Sequence, residues 1–177
     1  MFKTYKNILS KEDLKRFNQE VIENNNFGWY LNTSSVRDYP TKSNFDSFLF
    51  FNHEILIRPE NRNGANGVNS FLYPFMEEIF SKFMGRIKVK YSECFRIALN
   101  LTFNNGHTQC PPHLDHKFKY KQLLVYLNKD IDPSACTIVK DKKYAPTFNS
   151  GLLFDNVVHY HMVPKKGHRI VAVYTFI

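Results

Sequence analysis

PPHLDH, residues 111–116, sets two imidazoles and one carboxylate within four positions, just ahead of the apolar run LLVYLN at 123–128. The hexapeptide is either a polar surface turn or part of a metal site. On an extended segment residues two apart project to one face, so His113 and Asp115 offer a ring nitrogen and a carboxylate oxygen in the same direction. A divalent ion needs a further ligand. The stretch VVHYHMVPKKGHR at 157–169 supplies it as His159 or His161, both flanked by apolar residues suited to a core strand.

Two His and one carboxylate on one face of an octahedron leave the opposite positions open, which is the donor set of non-haem Fe(II) chemistry. Closed tetrahedral zinc wants four ligands, usually thiolates, and Cys94, Cys110 and Cys136 are not spaced for it. Composition argues the other way: with seven His in 177 residues an HxD arises easily by chance. Arg169 shifts that balance, because it heads the apolar run IVAVYTFI shortly after both late histidines. A buried guanidinium needs an acidic partner, and its planar fork fits a carboxylate in bidentate fashion. That partner is either a bound acid or a residue of the chain such as Asp155, the bland alternative being an arginine at the surface end of a strand.

Outward from the motif, the second half of the chain reads as short strands: IKVKYSECFRIALNLTF (87–103), KQLLVYLN (121–128), CTIVKD (136–141), GLLFD (151–155), VVHYHMV (157–163) and RIVAVYTFI (169–177), separated by Gly, Asn, Asp and Pro turns. No crossover helices lie between them, which favours a barrel or double-sheet jelly roll over a parallel sheet. The first half carries two helices. In LSKEDLKRFNQEVIENNN (9–26) Ser10 is an N-cap with Asp13 near N3, and Leu14, Phe17, Val21 and Ile22 recur at helical spacing. In NSFLYPFMEEIFSKFMG (69–85) Phe71, Phe75, Ile79 and Phe83 repeat every fourth residue, Pro74 falls in the first turns and Gly85 stops the helix. FGWYLNTSS (27–35) reads as a strand, TKSNFDSF (41–48) and RPENRNGANG (58–67) as loops. The expected fold is mostly β with N-terminal helices (α+β), one domain over 1–177, with 1–90 as support and 91–177 as the metal-bearing half.

Seventeen Phe, ten Tyr and 43% hydrophobic residues point to a packed core and exclude disorder. A chain of this length buries about 70% of its unfolded surface without help from disulfides. Three scattered cysteines with no CxxC pair predict reduced thiols and a cytoplasmic location. No apolar run reaches membrane-spanning length, and MFKTYKNILSKEDLK at the start has no apolar leader, so no membrane partner is expected. The net charge of +8 admits an anionic partner, nucleic acid included, but the lysines form no block, so solubility is the favoured reading. KFKYKQ (117–122) sets Lys117, Lys119 and Lys121 against Phe118 and Tyr120 by parity, a solvated strand face in preference to an anion-binding rim.

Taken together, HxD, a distal His and an Arg about ten positions beyond it on the last strand resemble the 2-oxoglutarate and Fe(II)-dependent dioxygenases, in their small prolyl-4-hydroxylase-like branch. The likeness covers roughly residues 96–176, and the Tyr-Leu-Asn run at 126–128 strengthens it. It implies a double-stranded β-helix (jelly-roll, cupin-like) core braced by the helices. It also implies Fe(II), 2-oxoglutarate as co-substrate and dioxygen, with His113, Asp115 and the distal His on iron. Arg169 would hold the remote carboxylate of 2-oxoglutarate with the Tyr126 hydroxyl, and Asn100 and Arg96 would line the pocket. The implied activity is hydroxylation of a peptide, amino acid or small molecule, coupled to conversion of 2-oxoglutarate to succinate. The interval to Arg169 favours His159 as distal ligand, while an HxV continuation keeps His161 open. DPSACTIVKD (132–141) lacks the glycine turn of many relatives, so substrate identity does not transfer. His107 and His116 are expected to face solvent or to back the ligands, and Trp29, Tyr30, Arg37 and Tyr39 are candidates for a substrate-facing lid. The alternatives are a nucleic-acid-binding or nucleic-acid-modifying module and a cupin-like metal-binding protein without oxygenase activity. Oligomeric state is not legible.

Overall fold

The chain starts as a strand, β1 (Phe2–Lys6), and enters helix α1 (Lys11–Phe17) through a full capping box. Ser10 Oγ accepts from the Asp13 N–H at 3.1 Å, and Asp13 Oδ2 accepts from the Ser10 N–H at 3.2 Å, so two orphan donors are satisfied reciprocally. The helix runs on as a π-helical turn, Asn18–Ile22, closed by the Glu23 N–H on the Asn18 carbonyl at 2.8 Å. The computed structural model describes residues 2–33, 48–62 and 67–177. Strands β2 (Tyr30–Asn32) and β3 (Phe50–Leu56), a 3-10 turn at Pro59–Asn61 and helix α2 (Tyr73–Arg86) complete the first half. The second half holds β4 (Cys94–Phe103), β5 (Lys121–Tyr126), β6 (Thr137–Val139), β7 (Lys142–Tyr144), β8 (Ser150–Asp155), β9 (His159–His161) and β10 (His168–Phe176).

Among the described residues these strands form two antiparallel sheets, a larger one in the order β1-β8-β5-β10-β4-β3-β2 and a smaller one in the order β7-β6-β9. Alternation along each strand gives the large sheet two different faces. Ile97, Leu99, Leu123, Val125, Ile170, Ala172 and Tyr174 cluster with α2 on one side. Leu124, Tyr126, Leu152, Phe154, Val171 and Val173 cluster on the other with Val139 of the small sheet. The two sheets therefore share an apolar interior, and the expected jelly-roll core braced by helices is the observed one.

Helix α2 buries Phe75, Met76, Ile79, Phe80, Phe83 and Met84. Phe80 sits at the centre, stacked on Tyr174 at 5.1 Å between ring centroids and edge-on to Phe176 and Tyr91. Phe80→Ala is expected to cost about 3–5 kcal/mol by transfer and cavity effects together, read as a lowered denaturant midpoint with an unchanged slope.

Several expectations shift in detail. Phe71 precedes α2 and is 65% exposed, so the buried stripe begins at Phe75. The strand read at 27–35 shortens to Tyr30–Asn32. β1, β3 and β7 carry little strand signal in the sequence, because FKTYK and KKY are mainly exposed and polar and because β3 places His53 and Glu54 mid-strand. His53 is nonetheless buried, its ring nitrogens 2.7 Å from both the Gly28 carbonyl and Ser70 Oγ. Most of the loop at 41–48, residues 63–66 of the next loop, and Arg37 and Tyr39 lie outside the described residues. No helix among the described residues is long and apolar enough to cross a membrane.

Candidate metal centre

Residues 108–113 run along the free edge of β9. The Val163 N–H donates to the Thr108 carbonyl at 3.0 Å and the Cys110 N–H to the His161 carbonyl at 2.9 Å. His113 and His159 exchange both backbone hydrogen bonds, at 2.9 and 3.0 Å. A directly opposed antiparallel pair sends both side chains to one side of the ribbon, and the two imidazole centroids lie 4.6 Å apart. Asp115, two residues on, joins them, and the ligand atoms of His113, Asp115 and His159 all fall within 4.8 Å of one another.

Each group is already oriented for a cation. His113 Nδ1 lies 2.8 Å from the Pro111 carbonyl and His159 Nδ1 lies 3.1 Å from that of Val157. Donation from each Nδ1–H fixes the tautomer and leaves the Nε2 lone pair facing inward. Asp115 Oδ1 accepts from Arg96 Nη1 at 3.2 Å, while its Oδ2 is buried without a hydrogen-bond partner, 3.7 Å from His159 Nε2. Burial opposes the Asp115 charge, but Arg96 above all, with His159 and His113, holds the carboxyl well below the usual range. Burial and then His113 push His159 down to about 4, so its ring is neutral and able to coordinate at neutral pH. The donors are two nitrogens and one carboxylate oxygen, a set that suits a divalent first-row metal with open positions.

The turn carrying Asp115 is gripped from several elements. Its N–H donates to Tyr120 Oη at 2.8 Å and its carbonyl accepts from Arg58 Nη1 at 3.0 Å. His116 is buried, against the expectation of a solvent-facing ring as one outcome, with Nδ1 2.8 Å from Glu60 Oε1 and Nε2 2.9 Å from Thr175 Oγ1. Gln122, on the inner face of β5, brings its Nε2 to 3.4 Å from His159 Nε2.

Arg169 is buried at 3% exposure on the inner face of β10. Its Nη2 donates to Thr137 Oγ1 at 2.9 Å, its guanidinium lies 5.4 Å over the Tyr126 ring, and its Nε has no hydrogen-bond partner. Tyr126 Oη is 2.7 Å from the same Thr137 hydroxyl. Among the described residues no carboxylate pairs with this guanidinium, and Asp155 instead opposes Lys121 across β5 and β8. Asn100, half-buried on the inner face of β4, carries an unpartnered buried Oδ1.

His161 stands apart from the triad. Its Nδ1 is 3.1 Å from Cys110 Sγ and its Nε2 is 3.2 Å from Thr102 Oγ1. His107 lies beside Phe48, with ring centroids 5.6 Å apart. Trp29 packs edge-on to Phe27 and Tyr30 is 61% exposed. Residues 117–120 are not a strand: Lys117, Lys119 and Phe118 are exposed while Tyr120 is buried. Gln122, Thr102, Thr137, Arg58 and Glu60 carried no individual signal, although Gln122 shares parity with Tyr126 and Thr102 with Asn100.

No family model matches the sequence, and no curated protein matches it. Solved structures share its fold. An oxidoreductase of the 2OG-Fe(II) oxygenase family from Burkholderia pseudomallei aligns over 99% of this chain and 84% of its own with a TM-score of 0.71 at 12% identity. The viral collagen prolyl hydroxylase of Paramecium Bursaria Chlorella virus-1, solved with 2OG, aligns over 98% of this chain and 94% of its own (TM-score 0.61, 12% identity). A prolyl hydroxylase of Trichoplax adhaerens, in complex with a hypoxia inducible factor peptide, aligns over 99% of this chain and 83% of its own (TM-score 0.62, 14% identity). The chain therefore has the fold of the 2OG-Fe(II) oxygenases.

Proposed function

We propose that residues 1–177 form one catalytic domain, a non-haem Fe(II)- and 2-oxoglutarate-dependent dioxygenase acting as a hydroxylase. The observation that carries this reading is one arrangement: two imidazole lone pairs and one unpartnered carboxylate oxygen converge, and behind them lies a buried guanidinium with no acidic partner among the described residues. A bare Asp115 Oδ2 and a bare Arg169 Nε are costly inside a fold unless a cation and an acid complete them. The residues fit the missing groups.

In this reading His113, Asp115 and His159 hold the metal, and Arg169 with Tyr126 holds the far carboxylate of 2-oxoglutarate. Fe(II), 2-oxoglutarate and dioxygen together would supply oxidation of a substrate C–H bond, with succinate and carbon dioxide as co-products. Arg96 fixes Asp115 so that one oxygen remains for the metal. Leu124, Leu152, Phe154, Val171 and Val173 keep the interior dry, which strengthens both charge contacts. Asn100 lines the pocket beside them. The prolyl hydroxylases among the structural neighbours favour a peptide substrate over an amino acid or another small molecule. Three free thiols fit a reducing cytoplasm.

Anaerobic addition of Fe(II) and 2-oxoglutarate to the metal-free protein tests the reading. A visible charge-transfer band is expected only with both present; binding of metal without 2-oxoglutarate would mark a cupin-like metal protein and overturn the co-substrate assignment. The distal ligand has its own test. His159→Ala is expected to lose tight metal binding, whereas His161→Ala, whose ring is engaged by Cys110 and Thr102, is expected to keep it. Metal titration by calorimetry distinguishes them.

A further inference from the structure

Around Arg169 the fold closes a ring of neutral polar side chains. Thr102 is the direct partner of Arg169 across β4 and β10, so both project to the inner face. Arg169 donates to Thr137, Thr137 opposes His161 across β6 and β9, and His161 Nε2 returns to Thr102 Oγ1 at 3.2 Å. Outside the ring, Cys110 Sγ lies 3.1 Å from His161 Nδ1 and accepts the His161 backbone N–H at 3.2 Å.

Two proton arrangements satisfy this chain. In one, the Cys110 S–H donates to Nδ1, the Nε2–H donates to Thr102 Oγ1, and the Thr102 hydroxyl hydrogen is free to point into the ring. In the other, the Thr102 hydroxyl donates to Nε2, the Nδ1–H donates to sulfur, and the thiol hydrogen is unused. A thiol is the weaker donor, so the second arrangement costs less while no anion is bound. An acceptor beside Arg169 rewards the first, and binding shifts the population toward it.

We propose that Thr102 is a further donor, beside Arg169 and Tyr126, to the far carboxylate of the co-substrate, and that His161 and Cys110 are positioning residues that turn its hydroxyl inward. This rests on the 2-oxoglutarate reading given above. It assigns work to a half-buried histidine and a buried thiol that metal binding does not use.

The test compares two ligands on manganese(II)-loaded protein by calorimetry: 2-oxoglutarate, and 2-oxopentanoate, which has the same keto acid end and a methyl in place of the far carboxylate. Thr102→Val is expected to reduce the preference for 2-oxoglutarate roughly 10- to 100-fold, the worth of one hydrogen bond to a charged group. Affinity for 2-oxopentanoate stays unchanged. Thr102→Ser, which keeps the hydroxyl, should hold the preference within about threefold. His161→Phe should lower the preference less than Thr102→Val and add nothing to it in the double variant, because it acts through the same hydroxyl. Cys110→Ser, with a donor retained, should restore what Cys110→Ala loses. If the valine variant does not fold, Thr102→Ala provides the same ratio. An unchanged ratio overturns the proposal, as does equal loss of both ligands, which would leave Thr102 a merely structural role. Failure of the wild-type protein to bind 2-oxoglutarate with metal would instead bring down the co-substrate reading, and this inference with it.

Discussion

Asp115→Ala is expected to abolish tight metal binding and with it all metal-dependent turnover. Asp115 is the one anionic group among the three converging residues, and its buried Oδ2 is the atom left for a cation. Loss of a group that merely supports a ligand already costs about 10- to 100-fold in metal affinity, so loss of the charged ligand itself exceeds that range. The alanine variant also strands Arg96, whose buried guanidinium is paired with Asp115 at 3.2 Å. Breaking a buried pair from one side costs about 3–5 kcal/mol, and a destabilised protein would confuse the result. Asp115→Asn separates the two effects. Its amide oxygen can still accept from Arg96, while its NH2 group takes the place of Oδ2 and turns a donor toward the cation. The asparagine variant should therefore melt close to the wild type and still fail to bind metal in calorimetric titration. Metal affinity within tenfold of wild type in a folded Asp115→Asn protein would refute the triad.

The HxD spacing was readable because it needs only local geometry: two residues on an extended segment share a face whatever surrounds them. The strand-rich second half was readable for the same reason, since alternation in IALNLTF and RIVAVYTF is a property of the pleat. Convergence with His159 was readable only as an alternative. His159 and His161 have the same parity on β9, and what separates them is the long-range pairing of His113 with His159 and the engagement of His161 by Cys110 and Thr102. Contacts of that kind join segments some 50 residues apart and leave no trace in local pattern. The grip on the Asp115 turn was invisible on the same grounds, because Arg58 and Glu60 sit in a Pro- and Asn-rich loop that reads as solvent. His116 reads equally as solvent-facing or as backing the ligands, and its bonds to Glu60 and Thr175, with Phe95 and Tyr120 edge-on to its ring, explain its burial. β1 carries little local signal for a different reason. Its sequence is polar because it is an edge strand, and its place comes from pairing with β8 rather than from its own hydrophobicity.

Arg169→Met is expected to change binding and stability in opposite directions. In the protein without ligand the Arg169 charge is buried and, among the described residues, meets neutral partners, the Thr137 hydroxyl and the face of Tyr126. Burial accordingly lowers its proton affinity from the ordinary arginine range. Replacing a poorly compensated buried charge with an apolar side chain of similar length is often neutral or stabilising by about 1–4 kcal/mol. The methionine variant should therefore unfold at a temperature equal to or above that of the wild type. Its affinity for 2-oxoglutarate should fall by more than about 30-fold, since truncating one partner of a buried, hydrogen-bonded charge pair costs about 2–5 kcal/mol. Metal affinity should remain, because the triad makes no contact with Arg169. A ligand that binds only the folded state raises the melting temperature in proportion to the logarithm of its concentration over its dissociation constant. Addition of 2-oxoglutarate and metal should thus stabilise the wild type and leave the variant where metal alone puts it. A residue kept for packing would behave in the reverse way, losing stability on substitution while its ligand response survived. The sign of the melting shift, read beside the co-substrate titration, decides whether this guanidinium is retained for the fold or for the diacid.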